Sequence, residues 1–162
     1  MSYDLLLYHF RNGDIVPADR AAFLACLRRH SDAQRDNRGY YFIEFPDDSC
    51  LQMNAAELET EEVFSGCSFY IRDFSPLVMG FIYELAVAAN LTAFDLQADG
   101  SDEYPHSFIV SEDQRSELPE KFSRNSRLLS SPEDLAKAIG ALFGSWQAYR
   151  DGVVSLYSGD EG

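Results

Sequence analysis

Lysine is almost absent from this chain, and so are the sequence patterns that bind nucleotide phosphates. Only Lys121 and Lys137 occur among its 162 residues, and 13 basic residues against 27 acidic ones leave a formal net charge of −14. Neither Gly-x-x-x-x-Gly-Lys-Ser/Thr nor Gly-x-Gly-x-x-Gly is present. Because this charge is repelled by phosphate backbones, we expect no nucleic-acid partner.

Cysteine is also scarce, since Cys26, Cys50 and Cys67 are the only three and an odd number. A secreted disulfide scaffold usually has an even and denser set, so we expect buried free thiols in a reducing cytoplasm. No basic-then-apolar leader opens the sequence, and no apolar run is long enough to cross a bilayer. We therefore predict a cytoplasmic protein that has no membrane partner.

Sequence motifs for catalysis and metal binding are missing as well. There is no Gly-x-Ser-x-Gly elbow, no Cys-x-x-Cys pair and no His-Glu-x-x-His pattern. We assign no catalytic residue, no metal ligand and no cofactor from the sequence.

Three histidines and one glutamate leave alternatives open. His9, at the end of an apolar strand, is either a catalytic base or a partly buried structural residue, and His30 is placed to interact with a helix C-terminus. Glu84, the only charge on a predicted apolar helix, is either a functional carboxylate or the partner of an arginine. His106 follows an acidic stretch that lacks the ligand alternation of an EF-hand but whose carboxylates could surround a divalent cation: Asp95, Asp99, Asp102 and Glu103.

The negative charge is concentrated in the middle of the chain. Residues 41–120 contain seventeen acidic residues and two arginines, whereas the segments on either side are nearly neutral. This segregation indicates either solubilising charge or an acidic surface that steers a basic protein partner. The residues that we predict to bind the partner lie in turns and loops: Asp47, Asp48, Glu59, Glu61, Glu62, Asp99, Asp102 and Glu103.

Apolar periodicity predicts an alternation of strands and helices. The predicted strands are 3–10, 40–45, 50–55, 67–74, 91–96 and 106–110, and the predicted helices are 18–30, 76–90 and 132–150. Asn12-Gly13 indicates a tight turn, residues 32–39 are predicted to be a polar loop, and residues 111–130 are mostly polar. Ser75-Pro76 and Ser131-Pro132 are typical of helix starts.

This order favours an α+β fold, an antiparallel or mixed sheet of five to six strands with about three helices packed on it. We predict a single domain over residues 1–157 and a disordered tail over 158–162. The sequence does not predict the oligomeric state.

Several segments resemble small acidic immunity-type proteins of bacterial polymorphic toxin systems. They are the opening Ser-Tyr-Asp-Leu-Leu-Leu-Tyr of residues 2–8, Ser75-Pro76, Glu-Leu-Ala of residues 84–86 and Asn-Leu-Thr-Ala-Phe-Asp-Leu-Gln of residues 90–97. The resemblance implies a protein that caps the active cleft of a toxin, and toxins that attack nucleic acid often have basic clefts.

Our first hypothesis is therefore a non-enzymatic cytoplasmic binding protein whose acidic residues engage a basic protein partner such as a toxin domain. The alternative is a small enzyme that uses a carboxylate with His106 or His9, with or without a divalent metal. A pocket that contains histidine and carboxylates would favour the enzyme. A third hypothesis, a scaffold or oligomer subunit, would need a large apolar surface patch.

Overall fold

The computed structural model describes residues 3–30, 34–95 and 106–140. Strands in these residues are β1 (Tyr3–Tyr8), β2 (Phe10–Arg11), β3 (Asp14–Ile15), β4 (Gln34–Arg35), β5 (Tyr40–Glu44), β6 (Cys50–Asn54), β7 (Gly66–Ile71), β8 (Thr92–Asp95), β9 (His106–Ile109) and β10 (Ser126–Leu128). Helices are α1 (Arg20–Arg28), α2 (Pro76–Ala89), a 3₁₀ helix (Glu112–Glu117), α3 (Glu120–Ser123) and α4, helical over 132–140.

Eight of these strands form one mixed sheet in the order β10-β9-β8-β1-β7-β6-β5-β4. Every neighbouring pair is antiparallel except β9 and β10, which are parallel, and β2 pairs with β3 separately. The α+β class and the mixed sheet are confirmed, but the expected numbers of strands and of helices were both too low. Edge strands β4 and β10 are two and three residues long, so they need no apolar run and escape a periodicity search.

One face of the sheet carries the main core. Helices α1, α2 and α4 all contribute buried side chains to it, and Phe81 of α2 has ring contacts with both Phe45 and Phe69. Helix α2 begins after Ser75, whose hydroxyl accepts a hydrogen bond from the Val78 amide, and ends at Asn90, as predicted. Helix α1 starts later than predicted, because the Asp19 carboxylate caps the Ala22 amide at 3.0 Å.

The predicted strand over residues 3–10 is divided at His9. Strand β1 ends at Tyr8, and the chain continues into the β2–β3 hairpin. Asn12 and Gly13 have φ values of 52° and 82°, which is the left-handed conformation required at both centres of a type I′ turn. The predicted Asn-Gly turn is therefore confirmed.

The second face of the sheet is covered more sparsely. Phe94 of β8 stacks on Phe122 of α3 with ring centroids 5.0 Å apart, and buried Leu118 joins the same small cluster. Residues 111–130, expected to be mostly polar, thus contain elements held by a few apolar anchors. The end of the third predicted helix, at Arg150, and the predicted tail 158–162 lie outside the described residues.

The strands of the sheet end on two opposite sides, which we name after the two ends of β1 as the Tyr3 edge and the Tyr8 edge. These are different from the edge strands β4 and β10. At the Tyr3 edge, where β1 begins, lie the β5–β6 turn, the segment between β7 and α2, and the ends of β8 and β9 that join through residues 96–105. At the Tyr8 edge, where β1 ends, lie the β6–β7 connection, the β2–β3 hairpin, the C-terminal end of α2 and the 3₁₀ helix.

Candidate functional site

The carboxylates predicted to form one acidic surface are divided between the two edges. Asp47 and Asp48 lie in the turn at the Tyr3 edge, whereas Glu59, Glu61 and Glu62 lie in the β6–β7 connection at the Tyr8 edge. Strand β6 lies between the groups, a length of roughly 15 Å. Asp99, Asp102 and Glu103 lie outside the described residues.

At the Tyr3 edge, Asp47 serves the turn in which it lies. Its carboxylate accepts hydrogen bonds from the amide of Ser49, at 3.0 Å, and from the Ser49 hydroxyl. The hydroxyl bond is the main reason why the pKa of Asp47 is lowered. Asp48 is exposed, and its backbone has the left-handed conformation, with φ at 67°. The hydrogen bonds from Ser49 both end on Asp47 Oδ1, whereas the Asp48 side chain forms no hydrogen bond or ion pair with a described residue.

At the Tyr8 edge, Glu59 is also occupied within the protein. Its carboxylate accepts a hydrogen bond from the buried Tyr41 hydroxyl, and burial followed by this bond raises the pKa of Tyr41. The Arg20 guanidinium donates to the carbonyls of Thr60 and Glu62, which fixes the backbone of the connection.

Glu61 and Glu62 are therefore displayed on an anchored loop. Both are exposed, and neither carboxylate pairs with a described residue. An anchored loop loses little conformational entropy when it binds, so these two are the predicted residues best placed to meet a partner.

Two exposed apolar side chains lie near the loop that carries these glutamates, Val63 in the loop itself and Ile15 in the β2–β3 hairpin. Val63 is 67% exposed and Ile15 is 52% exposed. Both line one depression of about 280 Å³ between the β6–β7 connection and the β2–β3 hairpin, together with Tyr8 and Glu57. The other residues that line the depression are mostly polar, and Glu61 and Glu62 are not among them, but both precede Val63 in the same loop. Exposed apolar side chains with charged groups around them are a common composition of protein-binding surfaces. We call Ile15, Glu57, Glu61, Glu62 and Val63 the rim patch.

A second depression at the Tyr8 edge is polar. It has a volume of about 220 Å³ and lies between β2, the C-terminal end of α2 and the 3₁₀ helix. Its polar walls are formed chiefly by His9, Arg11, Asn90, Thr92, Asp113 and Glu117. We call it the polar cleft.

Gln114 links the walls of the polar cleft through hydrogen bonds. Its Oε1 accepts the Val110 amide at 2.8 Å, and its Nε2 donates to Asn90 Oδ1 at 2.8 Å and to the Leu91 carbonyl at 3.2 Å. The 3₁₀ helix is thereby joined to the end of α2, and the cleft is preformed.

The histidines differ in surroundings. His9 donates from Nδ1 to the Pro17 carbonyl at 2.8 Å and lines the polar cleft with Asp113 and Glu117, so a pocket with a histidine and carboxylates is present, as the enzyme hypothesis expects. His9 forms no hydrogen bond or ion pair with either carboxylate. His30 follows α1 and packs edge-on against Phe81. His106 lies opposite Asp95 in the β8–β9 register and accepts a hydrogen bond from the Asn125 side chain at 3.1 Å.

Glu84 is the partner of an arginine, one of the two predicted alternatives. Its carboxylate forms an ion pair with Arg29 at 2.8 Å and lies 3.6 Å from His30 Nε2.

Of the cysteines, Cys26 and Cys67 are buried and Cys50 is exposed, so the expectation of buried thiols was wrong for Cys50. Its side chain points away from the core because it alternates with buried Leu51.

Residues 3–30, 34–95 and 106–140 contain no group of three His, Cys, Asp or Glu side chains placed to hold a metal ion. No helix within the same ranges combines the length and the apolar character that a bilayer span requires. No protein family, curated protein or solved structure matches this chain.

Sequence reasoning identified Glu61 and Glu62 of the rim patch but missed its apolar residues and the whole polar cleft. Ile15 and Val63 are ordinary apolar residues in apolar surroundings, and no sequence signal marks them as exposed. The polar cleft unites residues from three distant segments, and a local spacing search cannot detect that arrangement.

Proposed function

We propose that this chain is a non-enzymatic cytoplasmic binding protein whose rim patch engages a basic protein partner, and that it neutralises a toxin in the manner of an immunity protein. The observation that carries the proposal is the combination of exposed Val63 and Ile15 with the unpaired carboxylates of Glu61 and Glu62. Apolar contact provides affinity at such a surface, and the charged rim selects and steers a cationic partner.

The rim patch is favoured over the Tyr3 edge by what its carboxylates do. Asp47 accepts two hydrogen bonds within its own turn, whereas neither Glu61 nor Glu62 pairs with a described residue, and both precede exposed Val63. The charge of the remaining predicted residues, Asp99, Asp102 and Glu103, adds to the negative potential of the molecule and so to steering at long range.

Site-specific cross-linking tests the proposal. A photoreactive amino acid is placed at Val63 in one variant and, as a matched control, at exposed Leu77 of α2 in another. After irradiation in the source organism, we expect position 63 and not position 77 to capture one basic protein. An acidic captured protein, or equal capture from both positions, would contradict the rim patch.

Toxicity then separates neutralisation from simple binding. The captured protein is produced alone, with this chain, and with the Glu61→Gln, Glu62→Gln variant. We expect growth to be inhibited by the partner alone, restored by the wild-type chain and restored less by the variant. A partner that does not inhibit growth would overturn the immunity role.

A further inference from the structure

The polar cleft contains opposite charges that do not neutralise each other. Arg11, Asp113 and Glu117 all line it, yet Arg11 forms no ion pair with either carboxylate or with any other described residue. Glu117 Oε2 accepts the Asn12 amide at 2.8 Å, whereas the Asp113 carboxylate has no partner among the described residues. Unpaired groups of both signs in one cleft are suited to a ligand that carries both charges.

Thr92 adds a hydroxyl group to the wall of the cleft. Thr92 is 2% exposed, and its hydroxyl has no hydrogen-bond partner among the described residues. A hydroxyl at this position can donate a hydrogen bond to a ligand or accept one from it. The neighbouring Asn90 uses Oδ1 to accept from Gln114, which leaves its Nδ2 as a further donor.

The two charges of a ligand have distinct places in this cleft. Helix α2 ends at Asn90, and the partial negative charge of its last carbonyls adds to that of Asp113. An ammonium group is therefore favoured on that side. Arg11 lies on the hairpin side, where its guanidinium can bind a carboxylate with two parallel hydrogen bonds.

We propose that the polar cleft binds a small zwitterion of the α-amino acid class. The volume of about 220 Å³ is below that of pockets for drug-sized ligands. A cleft of this size suits a small ligand such as an amino acid with a short side chain. This site is separate from the rim patch and does not depend on the proposed partner.

Binding to the unmodified protein is measured first. Each of the twenty standard amino acids is titrated at millimolar concentration and followed by ligand-observed NMR and calorimetry. We expect small amino acids to bind, and their methyl esters and N-acetyl forms, which each lack one charge, to bind about tenfold or more weakly. The proposal would be overturned if none of the twenty amino acids binds. It would also be overturned if the methyl esters and N-acetyl forms bind as tightly as the unmodified amino acids.

Variants then locate the site. Arg11→Gln and Asp113→Asn change exposed side chains, so both proteins should fold, which circular dichroism checks. Each should bind the best amino acid about tenfold or more weakly, whereas Asp48→Asn at the opposite edge should bind like the wild type. Unchanged affinity in both cleft variants would overturn the assignment of the site.

Discussion

The Tyr3 edge and the Tyr8 edge are both rich in carboxylates, yet they use them differently. At the Tyr3 edge, Asp47 stabilises the turn that contains it. At the Tyr8 edge, Arg20 anchors the backbone of the loop, so that Glu61 and Glu62 are left unpaired beside exposed Val63. The density of charge along the sequence does not distinguish the two edges, whereas the internal partners of each carboxylate do.

The two edges are held apart by one sheet, on which helix α2 packs. The substitution Phe81→Ala tests that packing. Phe81 is buried against Phe45 and Phe69, so its truncation should lower the free energy of unfolding by about 3 to 5 kcal/mol. Urea melts followed by circular dichroism measure the loss. A loss below about 1 kcal/mol would mean that α2 does not pack on the sheet.

Introducing a positive charge into the rim patch should produce the next largest effect. Val63→Lys removes apolar contact and places a cation against a basic partner, so Kd should rise about 10- to 100-fold. Leu77→Lys, a matched change at an exposed residue near the Tyr3 edge, should leave Kd unchanged. Calorimetry with the captured partner measures both, and equal weakening by the two variants would remove the distinction between the edges.

The fold could be predicted from the sequence where local chemistry decides the structure. Ser75-Pro76 and Asn12-Gly13 have side chains and backbone preferences that specify a helix start and a tight turn by themselves. Strands β4 and β10 depend on the neighbour to which they are bonded, so their short sequences carry no signal.

The candidate site was predictable only in part for the same reason. Charge patterning identified Glu61 and Glu62, but it grouped them with Asp47, whose carboxylate is occupied within its turn. Which carboxylates are free is a tertiary property. The exposure of Val63 also depends on tertiary packing, because an apolar residue is read from sequence as part of the core.

Acid should reveal the structural role of Asp47. Hydrogen bonds from Ser49 lower its folded-state pKa, so the carboxylate contributes stability above its unfolded pKa and loses that contribution as pH falls through the folded pKa. Asp47→Asn should therefore be less stable than the wild type at neutral pH, and the difference should disappear in strong acid. Urea melts across this range measure it.

Asp48→Asn is the matched control for that experiment. Asparagine tolerates the left-handed conformation at this position, and the Asp48 side chain has no internal partner, so stability should not change. A pH-independent loss in Asp47→Asn, or an equal loss in Asp48→Asn, would contradict the assignment.

Chemical modification of Cys50 at the Tyr3 edge should have the smallest effect on partner binding. Cys50 is exposed, whereas burial raises the pKa of the Cys67 thiol and, together with Glu84, raises that of Cys26 to about 11. A thiol reagent should therefore modify Cys50 alone in the native protein and all three cysteines after unfolding. The Cys50-labelled protein should bind the partner as the unlabelled protein does. Rapid native modification of Cys67 would show that the Tyr8 edge is less closed than described.

The association rate with the captured partner tests the central claim most directly. It is measured at low and high salt for the wild type and for two double variants. The first is Glu61→Gln, Glu62→Gln at the Tyr8 edge, and the second is Asp48→Asn, Asp73→Asn at the Tyr3 edge, where Asp73 is an exposed residue between β7 and α2. The account predicts that the first pair slows association about tenfold at low salt, that the second pair changes it little, and that the difference fades near 1 M salt, where the screening length is about 3 Å. Equal slowing by both pairs, or a rate indifferent to salt, would contradict it.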